Sequence, residues 1–176
     1  MTVEVYLGQE FQFGHEHRVF GEFLQELVAR FEESQDLYLV VGEVEVDAAK
    51  IDMLLLSPGA IIIADFKEMR AVSAATAGSV RLRGGEIGPW KYVLPNGTCH
   101  TLGGEAKDTN PYQQLAGFHG KFATWLARRS PQILGESWPR RRVRHHTFAW
   151  AVISPGFDGD RSELDLPWPQ IQDNYS

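Results

Sequence analysis

The sequence predicts a mixed α/β (α+β) fold in the order helix, three strands, irregular insert, helix, strand, and three observations carry that prediction. Apolar residues recur at helical spacing between Gly14 and Glu33. The run from Leu37 to Lys67 is dense in β-branched residues and broken by turn chemistry. A second helical stripe follows Asn110-Pro111. With 176 residues the expectation is one domain, long enough to bury its own core.

The first helix rests on Val19, Phe20, Phe23, Leu24, Leu27, Val28 and Phe31. Stepping ~100° per residue from Leu27 places Phe20, Phe23, Phe31 and also Glu16 in one stripe, while Glu22 and Glu26 fall off it. Glu16 is therefore expected to point toward the core. LYLVVGEVEV, Leu37 to Val46, ends in strict alternation and predicts a strand. Two more strands are predicted over Ile51 to Leu56 and Ala60 to Lys67, joined by Ser57-Pro58-Gly59.

Residues 70 to 109 carry weaker signals, with short strands expected around Ser79 to Arg83 and Trp90 to Leu94. Asn110-Pro111 then opens a helix, since Asn caps free amides and Pro is tolerated in a first turn. Leu115, Phe118, Phe122, Trp125 and Leu126 form its apolar face as far as Arg128-Arg129, basic residues suited to the negative helix end. TFAWAVISP, Thr147 to Pro155, predicts the last strand. The C-terminal DLPWPQIQDNYS shows no helix or strand pattern, and residues 156–176 are expected to be a tail, or a linker to a further domain after Ser176.

The stretch IDMLLLSPGAIIIADFKEM sets two aspartates and a lysine in otherwise apolar strands. A hairpin turn centred between Pro58 and Gly59 puts Asp52 directly opposite Asp65, on one sheet face with Cβ atoms ~5 Å apart. Lys67, two residues on, shares that face. Like charges so close are destabilising unless a divalent cation sits between them, and hard oxygen ligands point to Mg²⁺ or Mn²⁺. The alternative is a solvated hairpin end in which Lys67 simply pairs with one aspartate.

Hydrophobic residues make up 43% and charged residues 23% of the chain, the composition of an ordinary soluble protein. No apolar run reaches membrane-spanning length, and MTVEVYLGQE lacks the basic start of a signal peptide, so a cytoplasmic protein with no membrane partner is expected. The lone Cys99 leaves no internal disulfide to form. Net charge is −6, yet basic residues gather in PRRRVRHH. Arg140, Arg141, Arg142 and Arg144 form either a solvated loop or a phosphate-contacting patch.

Three motifs in order, G-x-E-x-x-V at Gly14, Glu16 and Val19, then IDMLLLSPGAIIIADFK, then NPYQQ, resemble the NERD (nuclease-related) domain of the PD-(D/E)XK nuclease superfamily. The resemblance runs from about Gly14 to Pro155. It implies a restriction-endonuclease-like core, a central mixed β-sheet flanked by helices, and a DNA-processing role, in some members in phage defence. Carried over, Glu16 is the first-helix acid, Asp52 the strand acid, Asp65 and Lys67 the D/E-x-K pair, and Asn110, Pro111 and Gln114 the second-helix motif. The family usually has Glu where this chain has Asp65, a shorter arm that changes metal fit.

Within that frame Asp52 and Asp65 are the expected metal ligands, with the Phe66 backbone carbonyl beside them and Mg²⁺ or Mn²⁺ as cofactor. Glu16 reaches the metal through water, or serves only as an acid favoured by the helix dipole. Gln114 holds a phosphate or orients Lys67, or is a satisfied core amide. Asn110 is a cap, and His15 and His17 are substrate contacts or surface residues. Trp90, Trp138 and Trp168 stack on bases or pack in the interior. The expected activity is metal-dependent phosphodiester hydrolysis, on DNA or else RNA, by a homodimer if both strands are cut. The alternatives are a non-cleaving module of the same fold that binds nucleic acid or a partner domain, and a purely structural or oligomerising module.

Overall fold

The computed structural model describes residues 2–73, 75–102, 110–134, 145–166 and 171–173. It is a mixed α/β structure with two α-helices and two mixed sheets. The chain forms two compact units, one from Met1–Asp65 with Ala116–Trp150, the other from Phe66–Leu115 with Ala151–Ser176. The strands are β1 (Thr2–Leu7), β2 (Leu37–Val46), β3 (Ala49–Leu56), β4 (Ile61–Glu68), β5 (Arg81–Gly85), β6 (Lys91–Val93), β7 (Cys99–Thr101), β8 (Thr147–Ser154), β9 (Glu163–Asp165) and β10 (Ile171–Asp173). The helices are α1 (Gly14–Phe31) and α2 (Pro111–Leu134). Six strands make one sheet in the order β1-β2-β3-β4-β8-β10, and four make the other in the order β7-β6-β5-β9.

In the first unit β2, β3 and β4 follow one another antiparallel. β2 turns into β3 through Asp47 and Ala48, both at positive φ (47° and 57°), the backbone that two-residue hairpins require. The β3–β4 register pairs Met53 with Ala64 and Leu56 with Ile61, with Ser57 and Ala60 bonded across the turn. This is the register expected from a turn centred between Pro58 and Gly59. β3 and β4 are nearly continuous apolar runs, and both of their faces are covered: Ile51, Met53, Leu55, Ile62, Ile63 and Ala64 are all buried.

Helix α1 buries Glu16, Val19, Phe20 and Leu27, so the stripe that pointed Glu16 inward is correct at its N-terminal end. At the other end Val28 (46% exposed) and Phe31 (37%) stay at the surface, with the Phe31 ring 5.1 Å from that of Tyr38. The expected helix-first order needs correction. β1 precedes α1 and pairs parallel with β2 at the sheet edge, Thr2 against Leu37 through Leu7 against Gly42. Val5, Tyr6 and Leu7 remain exposed, so β1 carries no buried-face periodicity to read.

In the second unit Met69, Val80, Leu82, Trp90, Tyr92, Leu102, Ile153 and Phe157 form one core cluster. Trp90 is 1% exposed and donates its indole N–H to the Gly85 carbonyl at 2.9 Å, which settles it as a packing residue. Gly84 makes room for it: a Cβ there would come within 2.5 Å of the indole ring. The expected strands around 79–83 and 90–94 are present as β5 and β6, with β7 completing the hairpin (Tyr92 against His100).

The tail expected to lack structure contains β9 and β10, each three residues long and parallel to β5 and β8. Segments so short are held by backbone pairing to a neighbour and leave almost no side-chain pattern. α2 also runs past Arg128-Arg129 to Leu134, so those arginines do not stand at its negative end, and Arg129 instead lies over the Trp125 ring at 4.9 Å. Among the described residues no helix is long and apolar enough to cross a membrane.

Candidate metal centre

The hairpin register decides which acids meet. β2 pairs with β3 at Gly42–Met53 and again at Val44–Ile51, so Glu43 stands at the rung of Asp52. On the other side of β3 the ladder through Met53–Ala64 brings Asp65 to the same rung of β4. Three acids thus follow one another across three adjacent strands. Glu43 lies at φ +50°, a conformation that costs a non-glycine residue about 1–3 kcal/mol, and it interrupts the ladder at its own position. Gly8 packs against that turn of backbone: its N–H donates to the Gly42 carbonyl at 2.9 Å, and a Cβ on Gly8 would collide with the Glu43 carbonyl oxygen.

The fourth acid comes from α1. The chain enters the helix at Phe13, and the Glu16 carboxylate folds back to accept the Phe13 N–H at 3.2 Å. That is the acidic half of a capping box, and it satisfies one of the free amides at the helix start. The same side chain faces the sheet. Glu16, Glu43 and Asp52 each offer a carboxylate oxygen, and the three oxygens lie within 4.8 Å of one another. All three residues are buried, at 8%, 1% and 7% exposure. The capping and metal-site readings of Glu16 are therefore compatible.

Lys50 offsets part of the negative charge at this point. Two carboxylates at about 5 Å repel by roughly 3 kcal/mol at an effective dielectric of about 20. Lys50, on β3 two residues before Asp52, sets its ammonium 2.5 Å from Glu43 Oε2. Burial pulls that ammonium down, but Glu43 against it, with Glu16 and Asp52 further away, prevails and raises its pKa above the ordinary lysine value. Among the described residues Glu43 Oε1, in a side chain with no exposure at all, accepts no hydrogen bond. A buried carboxylate oxygen without a donor is costly unless something positive stands beside it.

The donor set fits a hard divalent ion. Opposed oxygens on one such ion span about twice a metal–oxygen bond of ~2.1 to 2.4 Å, and the three acids lie within that span. There is no sulfur or imidazole in the group, which favours Mg²⁺, Mn²⁺ or Ca²⁺ over zinc.

Of the residues anticipated from sequence, Glu16 and Asp52 belong to this group. Asp65 (3% exposed) is buried at the rung beyond Asp52, but among the described residues the group of three does not include it. Lys67 donates from Nζ to Gln114 Oε1 at 3.0 Å. Phe66 is buried on β4. Asn110 caps α2 as expected: its Oδ1 accepts the Gln113 N–H at 3.1 Å, and its Nδ2 donates to the carbonyls of Gly85 (2.9 Å) and Gly88 (2.8 Å). His15 is half-buried with its ring stacked on Phe13, and His17 is exposed beside Phe11. Arg140, Arg141, Arg142, Arg144, Trp138 and Trp168 lie outside the described residues.

Glu43 and Lys50 were not anticipated. The signal was present, because extending the hairpin argument to Asp47-Ala48 pairs Glu43 with Asp52 just as the next turn pairs Asp52 with Asp65. An Asp-Ala pair is a weaker turn signature than Asp-Gly, so nothing in the string draws the eye to that register. Comparison of the chain with protein-family models, with curated proteins and with solved structures finds no match in any of the three.

Proposed function

We propose that this chain is a metal-dependent nuclease domain that hydrolyses phosphodiester bonds in DNA, with Glu16, Glu43 and Asp52 as the residues that hold a divalent ion. The observation that carries the proposal is the buried triad itself: three carboxylates from three elements within 4.8 Å, with a fully buried oxygen of Glu43 that has no hydrogen-bond donor among the described residues. Mg²⁺ or Mn²⁺ bound there supplies Lewis acidity toward a phosphoryl oxygen and lowers the pKa of water. The D-x-K pair and the N-P-x-x-Q helix start extend the reading from a metal site to a restriction-endonuclease-like nuclease, DNA processing and phage defence.

The chain's own groups have separable roles. Glu16 is fixed by its bond to the Phe13 N–H, and Asp52 by the hairpin, so neither has to be ordered when an ion arrives. Lys67 carries the charge suited to a phosphate or a departing oxygen, and Gln114 fixes where that ammonium sits. A cytoplasmic setting suits a chain whose one cysteine cannot form an internal disulfide. Cutting both strands of a duplex would call for a second copy.

The test is incubation of the pure protein with plasmid and linear DNA in Mg²⁺ and in Mn²⁺, beside Asp52→Ala, Lys67→Ala and an EDTA control. Cleavage by wild type that falls about 10²-fold or more in both variants supports the reading. Equal trace activity in all three proteins sinks it. One observation favours a second reading, a non-cleaving module of the same fold: Asp65, the acid of the D-x-K pair, stays outside the group of three. Binding of DNA by wild type without cleavage in either metal would decide for that module.

A further inference from the structure

We infer that Lys50 lowers the negative charge which the acidic site presents to its metal and so favours a divalent over a trivalent cation. The inference rests on the metal-site reading of Glu16, Glu43 and Asp52 and assigns Lys50 as a positioning and specificity-determining residue.

Three features of Lys50 argue for this. Its cross-strand partner in the β2–β3 register is Glu45, an exposed carboxylate that would form an ordinary surface pair worth little. The ammonium goes instead to Glu43, diagonally across the strands, where the partner carboxylate has no exposure. The lysine side chain keeps 34% of its surface in water, so its stem runs from solvent to the site and brings a permanent cation there without burying the whole residue.

The lysine also leaves the other side of Glu43 open. The ammonium lies 2.5 Å from Oε2, while Oε1 accepts no hydrogen bond among the described residues. One oxygen is thus held and oriented, and the other is left for a ligand, the division of labour typical of a metal-binding carboxylate and its supporting group. The ammonium removes one unit of negative charge from the group of three carboxylates. Without the lysine the site is more negative by one unit, and a trivalent ion becomes a better match than it is in wild type. Ligand charge count is a known determinant of affinity in oxygen-donor sites.

The experiment compares Mn²⁺ and Tb³⁺ binding to the full chain, read by manganese EPR and terbium luminescence, in wild type, Lys50→Met and Lys50→Arg. The Tb³⁺-to-Mn²⁺ affinity ratio is expected to rise about tenfold or more in Lys50→Met and to stay within about threefold of wild type in Lys50→Arg, which keeps the charge. A ratio in Lys50→Met unchanged from a metal-binding wild type overturns the role of Lys50 and leaves the metal site standing. Failure of wild type to bind either ion removes the metal site, and the inference with it. If Lys50→Met does not fold, Glu43→Gln makes the opposite change in charge. There the ratio should fall by about tenfold, and an unmoved ratio again overturns the inference.

Discussion

The starts of the two helices solve the same problem in opposite ways. Each has a buried polar side chain that caps free backbone amides, Glu16 at α1 and Asn110 at α2. Asn110 uses all of its groups on backbone partners: its oxygen takes the Gln113 N–H and its amide reaches Gly85 and Gly88. It is neutral and complete, and nothing there asks for a ligand. Glu16 caps with one oxygen and joins Glu43 and Asp52 in a group that holds more negative charge than Lys50 neutralises. A buried polar group therefore reports function only when its hydrogen bonds and charge do not close within the protein.

The largest effect that tests this contrast belongs to the complete site. Asn110→Ala removes a cap and leaves the Gly88 carbonyl without its donor, and should cost about 3 kcal/mol in chemical unfolding. Metal affinity should not change. A shift in Mn²⁺ affinity in that variant would mean that the two helix starts are not separate in function. Next in size is Asp52→Asn. In wild type, metal at a hundred times its dissociation constant should add about 2.7 kcal/mol, roughly 5 to 10 °C in melting temperature, and the variant should lose all of it. Metal-free, the same variant should be more stable than wild type, because two close carboxylate pairs lose their repulsion and the lost attraction to Lys50 offsets only part of that gain. Destabilisation instead would show that the triad is as self-sufficient as Asn110.

A smaller effect reaches the triad through the backbone. Gly8→Ala puts a methyl group where the Glu43 carbonyl oxygen lies, and this is main chain that cannot swing away. Glu43 must shift, so divalent affinity measured by calorimetry should fall about tenfold while DNA binding in metal-free buffer stays the same. Equal loss of both would assign Gly8 to the general stability of the unit.

How much of this could be read from the string depended on the range of the signal. α1, the three central strands and the Asn110 cap each sit in a local pattern of period, turn or cap, and they were legible to within a residue or two. The Pro58-Gly59 turn gave a register that the structure keeps. β1, β9 and β10 were not legible, since an exposed edge strand and three-residue strands have no buried face to impose alternation. Asp52 and Glu16 could be found because a charge inside an apolar pattern stands out. Glu43 was harder to find, because in GEVEV it passes for the polar side of an ordinary half-buried strand, and Asp47-Ala48 is too weak a turn signature to draw attention to its pairing with Asp52.

The smallest expected effect separates what Lys50 does for the metal-free protein from what Glu16 does. The pKa of Lys50 is raised in the fold: burial opposes the charge, but the Glu43 carboxylate, helped by Glu16 and Asp52, more than offsets it. A group whose folded value is raised stabilises the protein fully below its unfolded value, and that stabilisation is lost as pH rises through the folded value. The contribution should therefore be constant through neutral and mildly alkaline conditions and fade only in strong alkali. Comparing wild type with Lys50→Met in EDTA, the gap in melting temperature should hold at about pH 9 and narrow by about pH 12. Glu16→Gln should show no such alkaline narrowing, since its bond to the Phe13 N–H needs only an oxygen and the amide can supply one. A Lys50 gap that persists unchanged into strong alkali would mean that the lysine stabilises through its packed stem rather than its charge, and that the negative site is balanced by something other than this ammonium.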